Sequence, residues 1–262
     1  MGKLKGLLLT EGLHGMISQV EGLAKALDLD YFHEKVELNS FWKLIPPKFT
    51  PVKKFVFKNN IKRDFDIIIS CGRKSVIPSI FLKKINSKKI KNIHVQDPKV
   101  NFKNFDYIIS PEHDDLKGDN ILSSKGAIHY LTSEEINEKK NYLLEKISKE
   151  KKIITLILGG PTKYYAYSNQ NLLNIFSKIS KQILNNNFQV IVIPSNRTPS
   201  KTIDLAKKFF TKEHLIIDKV DKDAYLSSLG IADYIIVTCD SSSMISEAAL
   251  TGKPLYLSLI HI

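Results

Sequence analysis

The sequence predicts an α/β protein of two Rossmann-like domains whose sheets face a cleft, with the carboxyl-terminal domain incomplete. Three observations predict it. Apolar runs of strand length alternate with amphipathic stretches of helix length. The alternation starts afresh after Lys151. No apolar run approaches the roughly 20 residues of a membrane span. A chain of 262 residues, 43% hydrophobic and 25% charged, can bury two cores.

Taken in order, Leu4 to Leu9 reads as the first strand. Lysines precede its leucines, but the run stops at Thr10-Glu11 without the small-residue pattern of a cleaved leader, so a cytoplasmic protein is expected. A helix follows from Met16 to Leu27, then a strand from Tyr31 to Glu37. Pro46, Pro47 and Pro51 forbid a regular helix across Phe41 to Lys54, which is expected to be a surface excursion. Strands are expected at Asp66 to Ser70, Asn92 to Val95, Tyr107 to Ser110 and Asn120 to Leu122, with helices at Ser75 to Lys84 and Ser133 to Lys149. The second series has strands at Ile153 to Leu158, Gln189 to Pro194, Leu215 to Ile217 and Tyr234 to Val237. Helices at Gln170 to Asn185, Lys201 to Phe210 and around Ala224 to Leu229 separate them. The boundary is expected near residue 150, giving domains 1–150 and 151–262. The last six residues, Leu257 to Ile262, equal the translation of a sequencing-library adapter, and the natural chain is expected to continue in their place.

The net charge of +12 comes almost wholly from lysine, only Arg63, Arg73 and Arg197 being arginine. With abundant isoleucine and asparagine this is the mark of AT-rich codons, so no nucleic-acid partner is expected. Peripheral contact with an anionic inner-membrane surface stays open, and the oligomeric state is not legible. Against that background Arg73 and Arg197, each just after a strand, invite a geometric role on phosphate or carboxylate. Cys71 and Cys239 lack metal or redox spacing and are expected to be free thiols.

Seven stretches could carry chemistry. Gly12 and Gly15 flank His14 at a strand-to-helix turn, where backbone N–H groups and the helix dipole suit an anion, or the glycines make only a tight turn. Gln19 lies one turn further on. Gly72-Arg73-Lys74 repeats the arrangement, with a solvated arginine as the competing account. His94-Val95-Gln96-Asp97 and Glu112-His113-Asp114-Asp115 put carboxylates at strand ends. A carboxylate beside an imidazole could hold it as a general base, or the cluster could be a hydrogen-bonded loop. No metal site is expected from these spacings. In the second half, Gly159-Gly160 and Ser195-Asn196-Arg197-Thr198 follow strands. Arg197 with Ser195 or Thr198 suits an anion, while capping by Thr198 or Ser200 is compatible with it. Most informative is Thr238 to Pro254: Asp240, Ser241, Ser242 and Ser243 exceed what one helix cap needs, Glu247 lies a turn in, and Gly252 and Pro254 end the helix.

The strings Gln96-Asp97-Pro98, Pro111-Glu112-His113-Asp114, Ser195-Asn196-Arg197-Thr198-Pro199, Thr238 to Met244, Glu247-Ala248 and Gly252-Lys253-Pro254 resemble the elongated-mitochondria family. Its plant members are mitochondrial fission factors, and it has bacterial members among the alphaproteobacteria. The resemblance runs from about Leu7 to Tyr256; Asn196 departs from it, standing where the family more often has a second arginine. More distantly the Glu247 region and its Gly-x-Pro exit are similar to nucleotide-sugar glycosyltransferases of the GT-B fold. That resemblance implies a UDP- or GDP-sugar donor, an unknown acceptor on the amino-terminal domain and no permanently bound cofactor or metal. Glu247 would then bind ribose, Ser241 to Ser243 and Arg197 the diphosphate, with Asp114 or His14 as base. A non-catalytic adaptor at a membrane surface, as the plant members suggest, and an epimerase on the same fold are the alternatives.

Overall fold

Eleven strands in two parallel sheets organise the computed structural model, which describes residues 2–61, 63–86, 89–162, 168–185, 187–211 and 213–258. Residues 259–262 of the adapter-like tail lie outside the described residues. The chain divides into two compact units, Met1–Tyr130 and Leu131–Ile262.

In the first unit the strands are β1 (Lys5–Thr10), β2 (Asp30–Lys35), β3 (Ile67–Cys71), β4 (Lys91–Val95), β5 (Tyr107–Pro111) and β6 (Ile121–Ser124). They lie in the order β2-β1-β3-β4-β5-β6 and every pair is parallel. Helices α1 (His14–Ala26) and α2 (Val76–Ile85) cover opposite faces. Strand alternation explains the split: Leu7 and Leu9 pack in one core with Ile77 and Ile80 of α2, and Leu8 in another with Val20 and Ala24 of α1. Between β2 and β3 the proline-rich excursion holds three short 3-10 turns, Ser40–Lys43, Pro47–Phe49 and Lys54–Val56, and no α-helix.

A buried polar network sits between β3, β4 and α2. Ser70 Oγ lies 2.8 Å from His94 Nδ1, and Ser79 donates to Asn92 Oδ1 at 2.6 Å. Burial pushes the His94 imidazole down to about 3. Between that value and about 6.5 the unfolded chain binds a proton that the folded one refuses, so stability falls as pH drops through this window. Wild type is expected to lose about 2 kcal/mol more than His94→Gln between pH 6.5 and 5, read from urea midpoints. Equal losses would contradict a buried neutral His94.

The second unit begins with α3 (Ser133–Lys139), followed by a 3-10 turn over Lys140–Lys146. Thr132 and Glu135 form a reciprocal capping box at the start of α3. The single helix expected from Ser133 to Lys149 ends early because Ser227 intervenes. Its hydroxyl donates to the Lys140 carbonyl at 2.9 Å and accepts the Leu143 N–H at 3.1 Å, replacing helical partners. This segment packs on α6 (Lys222–Ile231), so it belongs with the second unit rather than with 1–150.

Strands β7 (Lys152–Leu158), β8 (Phe188–Pro194), β9 (Leu215–Ile216), β10 (Tyr234–Thr238) and β11 (Leu255–Ser258) form a second all-parallel sheet in the order β11-β10-β7-β8-β9. Helices α4 (Asn169–Asn185), α5 (Ser200–Phe209) and α7 (Ser242–Ala249) complete it. Ile154, Leu156 and Leu158 pack with Leu172, Phe176 and Ile203 on one face, and Ile153, Ile191 and Ile193 with Ala224 and Leu143 on the other. Near-continuous burial along β7 and β8 is what a sheet covered on both sides requires. No helix among the described residues is long and apolar enough to cross a membrane.

Candidate functional site

In an open parallel sheet, loops leaving adjacent strands in opposite directions open a crevice at the carboxyl ends, and ligands collect there. The second sheet reverses between β7 and β10, and the first between β1 and β3.

At the second reversal three loops converge. Gly159 N–H donates to Thr238 Oγ1 at 2.7 Å, and Gly160 N–H to Asp240 Oδ2 at 3.1 Å. Thr238 O–H donates to Asp240 Oδ1 at 2.7 Å. Arg197 Nη2 donates to the same carboxylate at 2.7 Å and to the Asp240 carbonyl at 3.2 Å. The Asp240 side chain is 0% exposed and that of Arg197 41%. Both glycines are compelled by close approach: a Cβ on Gly159 would stand 2.0 Å from Asp240 Oδ2, and one on Gly160 1.9 Å from the Arg197 carbonyl oxygen. Asp240 therefore points inward and ties loops together; it does not face a ligand as expected. Gly160 spaces the loops rather than cradling phosphate. Arg197 combines an ion pair with a half-exposed guanidinium.

The hydroxyls divide similarly. Thr198 O–H faces the Leu158 and Gly159 carbonyls, each at 2.7 Å, while its oxygen accepts the Ser195 N–H at 2.8 Å. Its one proton is thus spent inside the loop, which removes the expected anion-donor role. Nor does it cap α5, whose cap position is Pro199. Ser195 Oγ accepts the Arg197 N–H at 3.3 Å. Ser241 is the N-cap of α7, accepting the Met244 N–H at 3.5 Å, and Ser242 is exposed on the first turn beside Ser243. Glu247, buried one turn further in, accepts the Tyr225 phenol at 2.8 Å. At the exit Gly252 has φ +65, and Lys253 Nζ donates to the Leu229 and Gly230 carbonyls at 2.8 and 2.7 Å, capping α6. Cys239 is half-buried, and burial raises its thiol.

At the first reversal Glu11 clamps the opposite loop. Its carboxylate accepts the Lys74 N–H at 3.0 Å and pairs with Lys74 Nζ at 2.7 Å. Gly72 is held at φ +92 where a Cβ would meet Met16 Sδ at 2.6 Å. Arg73, exposed, donates from Nη2 to the Lys43 carbonyl and so ties the proline-rich excursion to this loop. Gly12, at φ +84, donates to Thr10 Oγ1 at 3.0 Å. Gly15 lies within α1 and not in the turn. His14 opens α1, exposed, with Nε2 3.4 Å from the Tyr130 hydroxyl. Gln19 accepts from Gln96 Nε2 at 3.1 Å, and buried Cys71 donates to it at 3.5 Å, burial pushing that thiol up to about 12.

His113 and Asp114 occupy a 3-10 turn after β5. Asp114 accepts the Ser110 hydroxyl at 2.8 Å, whereas His113 Nε2 is 3.8 Å from Asp114 Oδ1, too far to fix a tautomer. The expected carboxylate-held imidazole is not formed. Moreover β1 and β5 are three strand positions apart, about 14 Å, so His14 and Asp114 do not act as a pair. Among the described residues no group of three or more His, Cys, Asp or Glu could hold a metal ion. The sequence reading missed Glu11 with Lys74, and Tyr225. Tyr225 reaches Glu247 from another helix, and nothing local in the sequence signals it.

The sequence pattern of the family described as Mitochondrial fission ELM1 matches residues 14–261. The protein RP120 of Rickettsia prowazekii is 29% identical, over 73% of this chain and 64% of its own length. Mitochondrial fission protein ELM1 of Arabidopsis thaliana is 22% identical, over 73% of this chain and 51% of its own. The chain thus spans between half and two thirds of these relatives. Among solved structures, UDP-GlcNAc 2-epimerase from Methanocaldococcus jannaschii superposes with TM-score 0.59 at 16% identity, covering 97% of this chain and 83% of that one. Staphylococcus aureus MnaA with UDP gives 0.58 at 14%, covering 96% and 78%. A family 9 glycosyl transferase from Veillonella parvula gives 0.51 at 10%, covering 97% and 80%. At such identities the likeness is one of fold, two Rossmann-like units of GT-B type. By the span of its sequence match, the chain belongs to the mitochondrial fission ELM1 family.

Proposed function

We propose that this protein is a GT-B-like glycosyltransferase that takes a UDP- or GDP-activated sugar at the reversal point of its second sheet. The observation that carries this reading is the start of α7. There the strand order reverses, α7 starts with the N-cap Ser241 and exposed Ser242, Arg197 donates to Asp240 just before it, and Glu247 lies one turn in. The diphosphate would lie on the first turn of α7, drawn by its N–H groups and by Arg197. Glu247 would accept the ribose hydroxyls. A carboxylate offers about four lone-pair sites, so the Tyr225 bond orients it without exhausting it. Asp240, Gly159 and Gly160 set the loop spacing. In the first unit this reading takes His14, exposed at that unit's own reversal point, as the base, and not Asp114, which stands three strands away beside Ser110.

Calorimetric titration with UDP- and GDP-sugars tests the reading. Glu247→Gln keeps the shape and the Tyr225 contact, and is expected to weaken binding roughly tenfold to a hundredfold by removing a charge-assisted bond. No binding by the wild-type chain, or equal binding by the variant, would refute it. The likeness to the mitochondrial fission protein of Arabidopsis favours a second reading, a non-catalytic adaptor. That reading predicts partner capture indifferent to Glu247→Gln.

A further inference from the structure

The excursion between β2 and β3 exposes the side chains a folded domain ordinarily hides. Phe41 is 64% exposed, Leu44 80%, Phe49 71% and Phe55 58%. They are not loosely held. Trp42 is packed between Phe41 and Phe55, with ring centroids 4.9 and 5.8 Å apart. Asn39 N–H donates to the Val56 carbonyl at 2.9 Å, Leu38 bridges Phe57, and Thr50 donates to the Pro46 carbonyl at 3.0 Å. Arg73 fastens the Lys43 carbonyl. The apolar side chains are therefore presented outward by a braced backbone.

Charge on the same segment has one sign. Lys43, Lys48, Lys53, Lys54 and Lys58 are all exposed, and no acidic residue occurs between Glu37 and Asp64. None of the five is in an ion pair among the described residues, although lysines elsewhere commonly are. Lys48 lies over the Phe49 ring at 5.9 Å and Lys54 over Phe57 at 4.4 Å, so cations and rings are interleaved. Lys54 donates to the Phe57 and Asn59 carbonyls, while Lys43, Lys48, Lys53 and Lys58, outside any ion pair among the described residues, together with the exposed aromatic and aliphatic side chains match the boundary of an anionic bilayer. Rings and Leu enter the acyl boundary there, while ammonium groups remain with the headgroups.

We infer that residues 41–58 form a docking surface for an anionic lipid bilayer, on which the first unit rests peripherally. This is independent of the nucleotide reading, since the surface lies wholly in the first unit. The test is flotation of the full chain with phosphatidylglycerol–phosphatidylcholine vesicles against phosphatidylcholine alone. Anionic vesicles are expected to carry the protein, less so as salt rises. Phe41→Ser with Leu44→Ser, and separately Lys43→Glu with Lys53→Glu, are each expected to lower the partition coefficient about tenfold or more. All four positions are exposed, and unchanged circular dichroism would show that the fold persists. Lys201→Glu with Lys208→Glu, in the second unit, makes the same charge change elsewhere and is expected to lose far less. The inference is overturned if wild type ignores anionic vesicles, or if the second-unit variant loses as much. It is also overturned if the Phe41 and Leu44 variant binds like wild type. A dimer that the patch variants dissociate, without vesicle binding, would assign the surface to a second copy of the chain instead.

Discussion

Gly160→Ala is expected to destabilise the second unit by about 3 kcal/mol or more, with a drop of about 10 °C in its melting temperature. The reason is geometric. The new methyl would stand 1.9 Å from the Arg197 carbonyl oxygen, a backbone atom that moves only if the whole loop after β8 moves. Gly159→Ala places its methyl 2.0 Å from a carboxylate oxygen of buried Asp240 and is expected to be nearly as costly. Gly252→Ala, with φ +65 but open space around it, is expected to cost about 1 kcal/mol from backbone strain alone. At Gly2 nothing lies within 4 Å, and alanine there is expected to stay within about 0.5 kcal/mol of wild type. Urea unfolding followed by hydrogen exchange in β7 and β8 would rank the four. Equal, small effects would mean that the loops after β7, β8 and β10 do not meet as described.

Arg197→Met is expected to cost about 2 to 3 kcal/mol and to weaken nucleotide binding as well. It strands the Asp240 carboxylate, which has no solvent exposure, beside the neutral donors of Gly160 and Thr238. The value sits below that of a fully buried pair because the arginine itself is half-exposed and screened. Arg197→Lys keeps the charge but not the reach to both the Asp240 carboxylate and carbonyl, so it is expected to recover only part of the loss. Adding Asp240→Asn to Arg197→Met removes the stranded charge. The double variant is expected to be more stable than the sum of the single losses, by about 2 kcal/mol in a thermodynamic cycle. Strict additivity would show that the pair is not coupled.

Much of the fold was legible because parallel strands covered on both faces must be written as apolar runs. Ile153 to Leu158 and Gln189 to Pro194 appear within a residue of β7 and β8. What escaped depends on partners far away in the chain. The early end of α3 is set by Ser227, more than eighty positions on, and its docking on α6 moves the boundary from residue 150 to 130. At the site, the strand-loop-helix arrangement of Thr238 to Pro254 was readable from its polar run and its glycine exit. The direction of its side chains was not. Asp240 turns inward because the Gly159–Gly160 loop delivers an N–H and the loop after β8 an arginine to it, and Glu247 is held by a tyrosine from a different helix. Thr198 shows the same limit: it has the chemistry for an anion and spends its one proton on carbonyls, while Arg73 gives one of its five N–H donors to a carbonyl thirty positions back in the chain.

The most direct test of the central claim is hydrogen exchange of the full chain with and without UDP-GlcNAc or a GDP-sugar. Binding at the second reversal point predicts protection of amides in 159–160, 195–198 and 238–247, which in Glu247→Gln needs roughly tenfold to a hundredfold more nucleotide to appear. Protection confined to the first unit, or none at saturating nucleotide, would contradict it.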